Sequence, residues 1–177
     1  MPNAVTHVLI PIIILEIIRD YIIKDRKKFP LHYILIAGIA GLLPDIDIMV
    51  YWIMNIFAKI SLSEIHRTFS HTLFLPLLFL ILGLLTFKVK IKFLSKHKLR
   101  LRTIFFVITF GVLLHLFLDW LLIGEIKPLY PLNNLIIGLN LVKLTPFPDT
   151  IIPALDAILL IGWLIHEEFR HKISDFI

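Results

Sequence analysis

Five stretches of this 177-residue chain are each long and apolar enough to cross a bilayer, and this bounds what it can fold into. A hydrocarbon core of about 30 Å takes about 20 mostly apolar residues in a helix. The stretches run from about Ala4 to Ile23, from Leu31 to about Ala58, from about His66 to Phe87, from Thr103 to Ile123 and from Thr150 to about His166. With 58% hydrophobic residues, 18% charged residues and a mean hydropathy of +0.90, the chain is too apolar for a single water-facing core. A soluble globular enzyme, a disordered segment and a nucleic-acid-binding module are excluded on that ground. The sequence predicts one all-α domain over residues 1–177, a polytopic membrane bundle of about five transmembrane helices. The second helix is expected to break near Pro44, since proline removes an intrahelical hydrogen bond. The first stretch lacks a basic leader and is interrupted by Glu16, so it reads as a retained helix. With no cysteine in the chain, any metal must be held by His and carboxylates.

Lys and Arg in the short loops set the orientation. Lys24-Asp25-Arg26-Lys27-Lys28 separates the first two stretches, and residues 88–102 carry seven cations and no acid. With both loops cytoplasmic, and Arg19, Arg170 and Lys172 on the same side, fourteen of the eighteen Lys and Arg lie inside. Lys59, Arg67, Lys127 and Lys143 are left outside. The N-terminus is then outside and the C-terminus cytoplasmic. The net charge of +5 reads as a topology signal resting on anionic headgroups, not as a nucleic-acid surface. The alternation of Lys88, Lys90 and Lys92 suggests a short extended or surface-lying stretch.

Ionisable groups inside spans are costly and usually functional. His7 lies one turn into the first stretch, Asp45 and Asp47 lie midway along the second, His66 to His71 open the third, and the fourth carries His115 and Asp119. At 1.5 Å per residue, His7 lies roughly 5 Å below the outer end of its span, Asp119 about 6 Å, His71 about 8 Å and His115 about 12 Å. Asp45 and Asp47 reach the same depth only if the chain bends near Pro44. His115 and Asp119, four apart, share a helical face and can ligate one ion or two neighbouring ions. His66 and His71, five apart, both ligate only if His66 belongs to the entering loop. Arg67 and His71 would share a face, which suits a cation beside a metal holding an anionic oxygen. Ser70 is placed to orient an imidazole. Two neighbouring carboxylates repel and partly protonate unless a cation joins them. Plainer readings stand beside these: an interfacial His7, a hydrogen-bonded His115–Asp119 pair tying helices together, an exposed turn at Asp45 and Asp47. An ion or proton path is a further one, although the cytoplasmic halves offer only Glu16, Arg19 and Asp20 to continue it.

In chain order, Thr6-His7, Pro44-Asp45-Ile46-Asp47, His66-Arg67-Thr68-Phe69-Ser70-His71 and His115-Leu116-Phe117-Leu118-Asp119 resemble the YdjM-type membrane-bound metal-dependent hydrolases. That family's pattern runs TH, PDID, HRxxTHS and HxxLD, then a glycine and an aromatic-proline segment, which Gly124 and Leu129-Tyr130-Pro131-Leu132 match. The resemblance covers roughly residues 4–135 and departs from the pattern at Ser70, Thr72 and Trp120. It implies metal-dependent hydrolysis, with a distant similarity to zinc-dependent phospholipases C. The ligand set it implies is His7, Asp45, Asp47, His66, His71, His115 and Asp119. Seven N/O ligands are too many for one tetrahedral zinc and suit two ions, with manganese or iron as alternatives to zinc. The implied mechanism is metal-activated water attacking a lipid-like phosphoester reached from the outer leaflet of the bilayer, with Arg67, Asp47 and His71 as the catalytic candidates.

Asp156 lies about 9 Å below the outer end of the fifth stretch. It is a candidate for orienting a ligand histidine, as Ser70 is, for ligation itself, or for helix packing. The apolar loop at residues 124–149 reads either as a lid or lipid entrance, or as a short interfacial helix that merely packs. Two other functions use the same residues: a metal-ion-binding or transporting membrane protein without hydrolysis, and a structural subunit whose buried polar groups specify packing.

Overall fold

The computed structural model describes residues 4–25 and 28–172; Arg26 and Lys27 of the first basic loop lie outside the described residues. The architecture is an all-α bundle. Helix α1 (Ala4–Ile17) continues into a π turn (Ile18–Ile23), followed by α2 (Leu31–Ala40), α3 (Ile46–Phe57) and the single turn α4 (Leu62–Ile65). Then come α5 (Phe74–Leu85), extended by a tight turn at Thr86–Lys88, the short α6 (Lys92–Lys96), α7 (Leu101–Leu122) and α8 (Pro148–His171). Prolines mark the starts: Pro30 precedes α2, Pro44 precedes Asp45 and α3, and Pro148 opens α8, where its missing N–H has no intrahelical partner to lose.

Helices α7 and α8 are long and apolar enough to cross a membrane, while α2, α3 and α5 are shorter apolar helices. The second stretch divides at residues 41–45 into α2 and α3, as Pro44 predicts. The third differs from expectation. No helix starts at His66; the segment 66–73 is a series of turns, and the helix begins only at Phe74. Arg67 takes a left-handed φ of 61°, which no helix continues. The Thr68 and Thr72 hydroxyls donate back to the Ile65 and Phe69 carbonyls, and Leu73 N–H donates to the Pro128 carbonyl at 2.9 Å. Side-chain and loop partners have replaced the helical ladder there. Arg67 and His71 therefore do not share a helical face.

Helix α7 is the centre of the bundle, packed against α2 and α5, and α1 packs against α2 and α8. The closest approaches run through glycine. A Cβ at Gly111 would lie 2.7 Å from the Ala37 carbonyl oxygen and 2.8 Å from Ala40 Cβ, so α7 rests on the backbone of α2. A Cβ at Gly41 would lie 2.1 Å from the His7 carbonyl oxygen, so the end of α2 rests on α1. Small residues at such crossings let backbones meet where lipid gives no hydrophobic drive for association. Toward the basic-loop end, Leu15, Tyr33, Ile34, Ala37 and Val107 form an apolar cluster, and the Tyr33 hydroxyl accepts Arg100 N–H at 2.7 Å. Toward the other end, the core is made of His7, His71, His115 and Asp119, each at most 1% exposed.

Helix α8 is held differently. Thr6 donates to Asp156, Trp163 Nε1–H donates to Glu16 Oε2 at 3.2 Å, and Arg170 Nε lies 3.6 Å from Asp20 Oδ2. Asp156, Trp163 and Arg170 are spaced by seven, so three polar ties run along one face of α8 onto α1 and its π turn.

The glycine contacts make a direct stability test. Gly111→Ala must push apart α7 and α2 and is expected to cost about 1–3 kcal/mol, read as a lowered thermal midpoint in detergent. Gly162 has nothing within 4 Å of its Cβ position, so Gly162→Ala should leave the midpoint unchanged or slightly raised. An unchanged midpoint for Gly111→Ala contradicts the packing described.

Candidate metal centre

Four segments distant in sequence deliver the polar core. The first turn of α1 carries His7. In the break after α2, successive i to i+3 backbone bonds (Leu42 to Ile39, Leu43 to Ala40, Asp45 to Leu42) wind the chain tightly up to α3. Asp45 occupies the N-cap position of α3 without capping it, which leaves its carboxylate for the site, and Asp47 lies in the first turn. The turns at 66–73 carry His66, Arg67, Ser70 and His71. Helix α7 presents His115 and Asp119 one turn apart.

The hydrogen bonds fix the imidazoles. His115 Nδ1 lies 2.6 Å from the Gly41 carbonyl oxygen. A carbonyl only accepts, so Nδ1 carries the hydrogen and Nε2 keeps its lone pair. Asp47 does the same for two others. Its Oδ1 lies 2.9 Å from His66 Nδ1, and its Oδ2 lies 3.3 Å from His71 Nδ1 while accepting the Ser70 hydroxyl at 2.6 Å and Arg67 N–H at 3.2 Å. Ser70 Oγ, its hydrogen given to Asp47, is 3.0 Å from His71 Nδ1. Both carboxylate oxygens of Asp47 are thus occupied by protein donors.

The Nε2 atoms so freed converge. His71 Nε2 and His115 Nε2 are 3.2 Å apart. Asp45 Oδ1 lies 3.5 Å from the first and 3.7 Å from the second; Asp119 Oδ2 lies 3.6 Å and 3.8 Å from them. The His7 ring stacks on His115 at 3.8 Å, with its Nε2 3.5 Å from Asp119 Oδ1. Two neutral imidazoles in these tautomers would oppose lone pairs across 3.2 Å beside two carboxylates. A proton shared between the rings, or a metal ion bound by both, removes that repulsion. Both ring nitrogens of His7, Nε2 of His66, Asp45 Oδ1 and both oxygens of Asp119 are buried without a hydrogen bond. Orphaned buried polar groups on this scale are destabilising unless something binds them.

The donor set suits a divalent ion. Three overlapping triplets have their ligand atoms within 4.8 Å of one another: His7, Asp45 and His115; Asp45, His66 and His71; His71, His115 and Asp119. Two nitrogens each 2.0–2.1 Å from a tetrahedral zinc lie about 3.3–3.4 Å apart, close to the spacing of the two Nε2 atoms. Of the seven expected ligands, six enter these triplets and Asp47 enters none. Asp156 also stands outside them and accepts from Thr6, the neighbour of His7. Two participants carried no signal in the sequence pattern: the Gly41 carbonyl, because any residue offers one, and Glu125, whose Oε2 lies 3.6 Å from Arg67 Nη1.

Arg67 joins the centre to the surface. Its Nε is 3.7 Å from Asp119 Oδ2, and with His66 it lines an open cleft of about 730 Å³ whose other walls are Leu62, Glu125, Lys127 and Ile136. The loop at residues 124–149 thus supplies one wall. Up to Phe147 it forms no α-helix: Ile126 and Ile137 pair as an isolated antiparallel bridge, and a single tight turn follows at Leu141–Leu144.

Buried His/Asp clusters consistent with metal binding therefore sit at one end of a bundle with membrane character. Neither a curated protein nor a solved structure matches the chain. A family model does, over residues 1–171, and it places the chain in the YdjM inner membrane protein family.

Proposed function

We propose that this chain is a membrane-embedded metal-dependent hydrolase acting on a phosphoester, most plainly that of a lipid. The carrying observation is the pair of Nε2 atoms 3.2 Å apart, each ring turned by a hydrogen bond at its Nδ1. His7, Asp45, His66, His71, His115 and Asp119 would hold the metal, and six N/O donors suit two zinc ions better than one. A bound divalent ion contributes Lewis acidity and a water made nucleophilic near neutral pH.

The chain's own residues do the rest. Asp47 holds His66 and His71 in one tautomer, the task of carboxylates behind metal-ligating histidines. Its role is thus orientation, not ligation. Arg67 faces the cleft beside Asp119 and is placed to hold a phosphoryl oxygen, where a preorganised cation lowers the cost of developing charge. Lys127 adds to the positive field at the mouth, and Leu62 and Ile136 offer apolar walls. This lining favours an anion with an apolar portion. Glu125 offsets one of the two cations, and the one net positive charge left at the mouth favours an anion over a metal-ion cargo.

Arg67→Ala separates these readings. An enzyme loses phosphodiester hydrolysis by about 100-fold or more and keeps its thermal stabilisation by zinc, while His115→Ala loses both. A carrier keeps zinc uptake into proteoliposomes in Arg67→Ala, and wild-type protein without hydrolysis overturns the enzyme reading.

The orientation proposed from the loop charges puts the cleft on the extracytoplasmic side, with the C-terminus in the cytoplasm. An alkaline phosphatase reporter fused after residue 135 should be active, because this reporter works only outside the cytoplasm. Activity of a cytoplasm-only reporter at the same position contradicts that orientation.

A further inference from the structure

The far end of α7 carries a second polar pocket, about 27 Å along the helix from Asp119 at 1.5 Å per residue. It encloses about 340 Å³ between the turn at 86–91 and the first turn of α7, and its lining includes Phe87, Lys90, Ser95, Arg100 and Arg102. Arg102 is fixed: its guanidinium carbon lies 4.6 Å over the Phe87 ring and 5.1 Å from the Phe106 centroid. Stacking between aromatic rings orients the cation without neutralising it. Among the described residues no ion pair involves Lys90, Arg100 or Arg102, and residues 88–102 contain no carboxylate.

The chain beside the pocket is built for a bilayer surface. Val89 and Ile91 are extended, Lys88, Lys90 and Lys92 interleave with Val89, Ile91 and Phe93, and Val89 and Ile91 form part of the pocket wall beside Lys90. Val89, Ile91 and Phe93 are 48%, 40% and 70% exposed, an arrangement that places apolar groups among acyl chains and lysines at headgroup level. Three unneutralised cations around one cavity at that level match a single phosphodiester.

We propose that this pocket binds the phosphodiester headgroup of an anionic membrane lipid. Lys90, Arg100 and Arg102 contact the phosphate, and Val89, Ile91 and Phe93 hold the segment in the same leaflet. The site is separate from the His/Asp centre and does not depend on that centre being catalytic.

Native mass spectrometry of the full chain in detergent, titrated with dioctanoyl phosphatidylglycerol, tests this. The expected result is one tightly held lipid, with dioctanoyl phosphatidylcholine at least about tenfold weaker. Lys90→Gln with Arg100→Gln should weaken phosphatidylglycerol about tenfold or more. Lys96→Gln with Lys98→Gln removes the same charge outside the pocket and should change binding less than about twofold. Equal weakening by the two pairs would mean diffuse attraction and overturn the pocket. Equal binding of phosphatidylcholine by the wild type overturns the anionic selectivity, whatever the variants do. Displacement of the lipid by an equal concentration of inorganic phosphate overturns the lipid as occupant in favour of the free anion.

Discussion

The structure depends on one contact: two imidazole nitrogens, on His71 and His115, facing each other at 3.2 Å in a fully buried core. Each ring is turned into that position by a bond at its other nitrogen, from the Gly41 carbonyl for His115 and from Ser70 and Asp47 for His71. Carboxylates of Asp45 and Asp119 close on the same point. Among the described residues no hydrogen-bond donor satisfies Asp45 Oδ1 or either oxygen of Asp119. A cation shared among them would convert an electrostatic liability into a bond network that ties α1, the 41–47 segment, the 66–73 turns and α7 together.

The rest of the fold serves that point. Gly111 lets α7 settle on α2, and Gly41 lets the end of α2 settle on α1, so His7 can stack on His115. The break at residues 41–45 aims Asp45 and Asp47 to opposite sides of His71, one near Nε2 and the other near Nδ1. Between residues 66 and 73, regular helix is given up so that His66, Ser70 and His71 can all reach Asp47. The polar ties of α8 keep it against α1, and Asp156 in particular holds Thr6 beside His7.

Much of this is legible in the sequence because it follows from helical periodicity and from the cost of charge in lipid. His115 and Asp119 at a spacing of four had to share a face, and Pro44, flanked by Gly41 and two aspartates, marks a break, whereas Pro11 and Pro153 lie inside α1 and α8. The 66–73 turns were not legible. Apolar content and length favour a helix from His66 onward, and what prevents one is a left-handed Arg67 and hydroxyl bonds that only the folded chain reveals. The partners of Asp47 were not legible for a related reason: residue type says carboxylate, whereas the groups that bond it come from a segment about twenty residues away. Membrane crossing shows a similar division. Composition marks five apolar stretches, yet among the described residues only α7 and α8 are single helices long enough to cross unaided.

X-ray absorption at the zinc edge, on full-length protein purified without chelator, addresses the central contact most directly. The predicted spectrum has N/O ligation at about 2.0–2.1 Å with the multiple scattering of imidazole, and the imidazole contribution falls in His71→Ala. Protein that binds no zinc, manganese or iron, or a spectrum of hydrated zinc without imidazole, would contradict a metal held between His71 and His115.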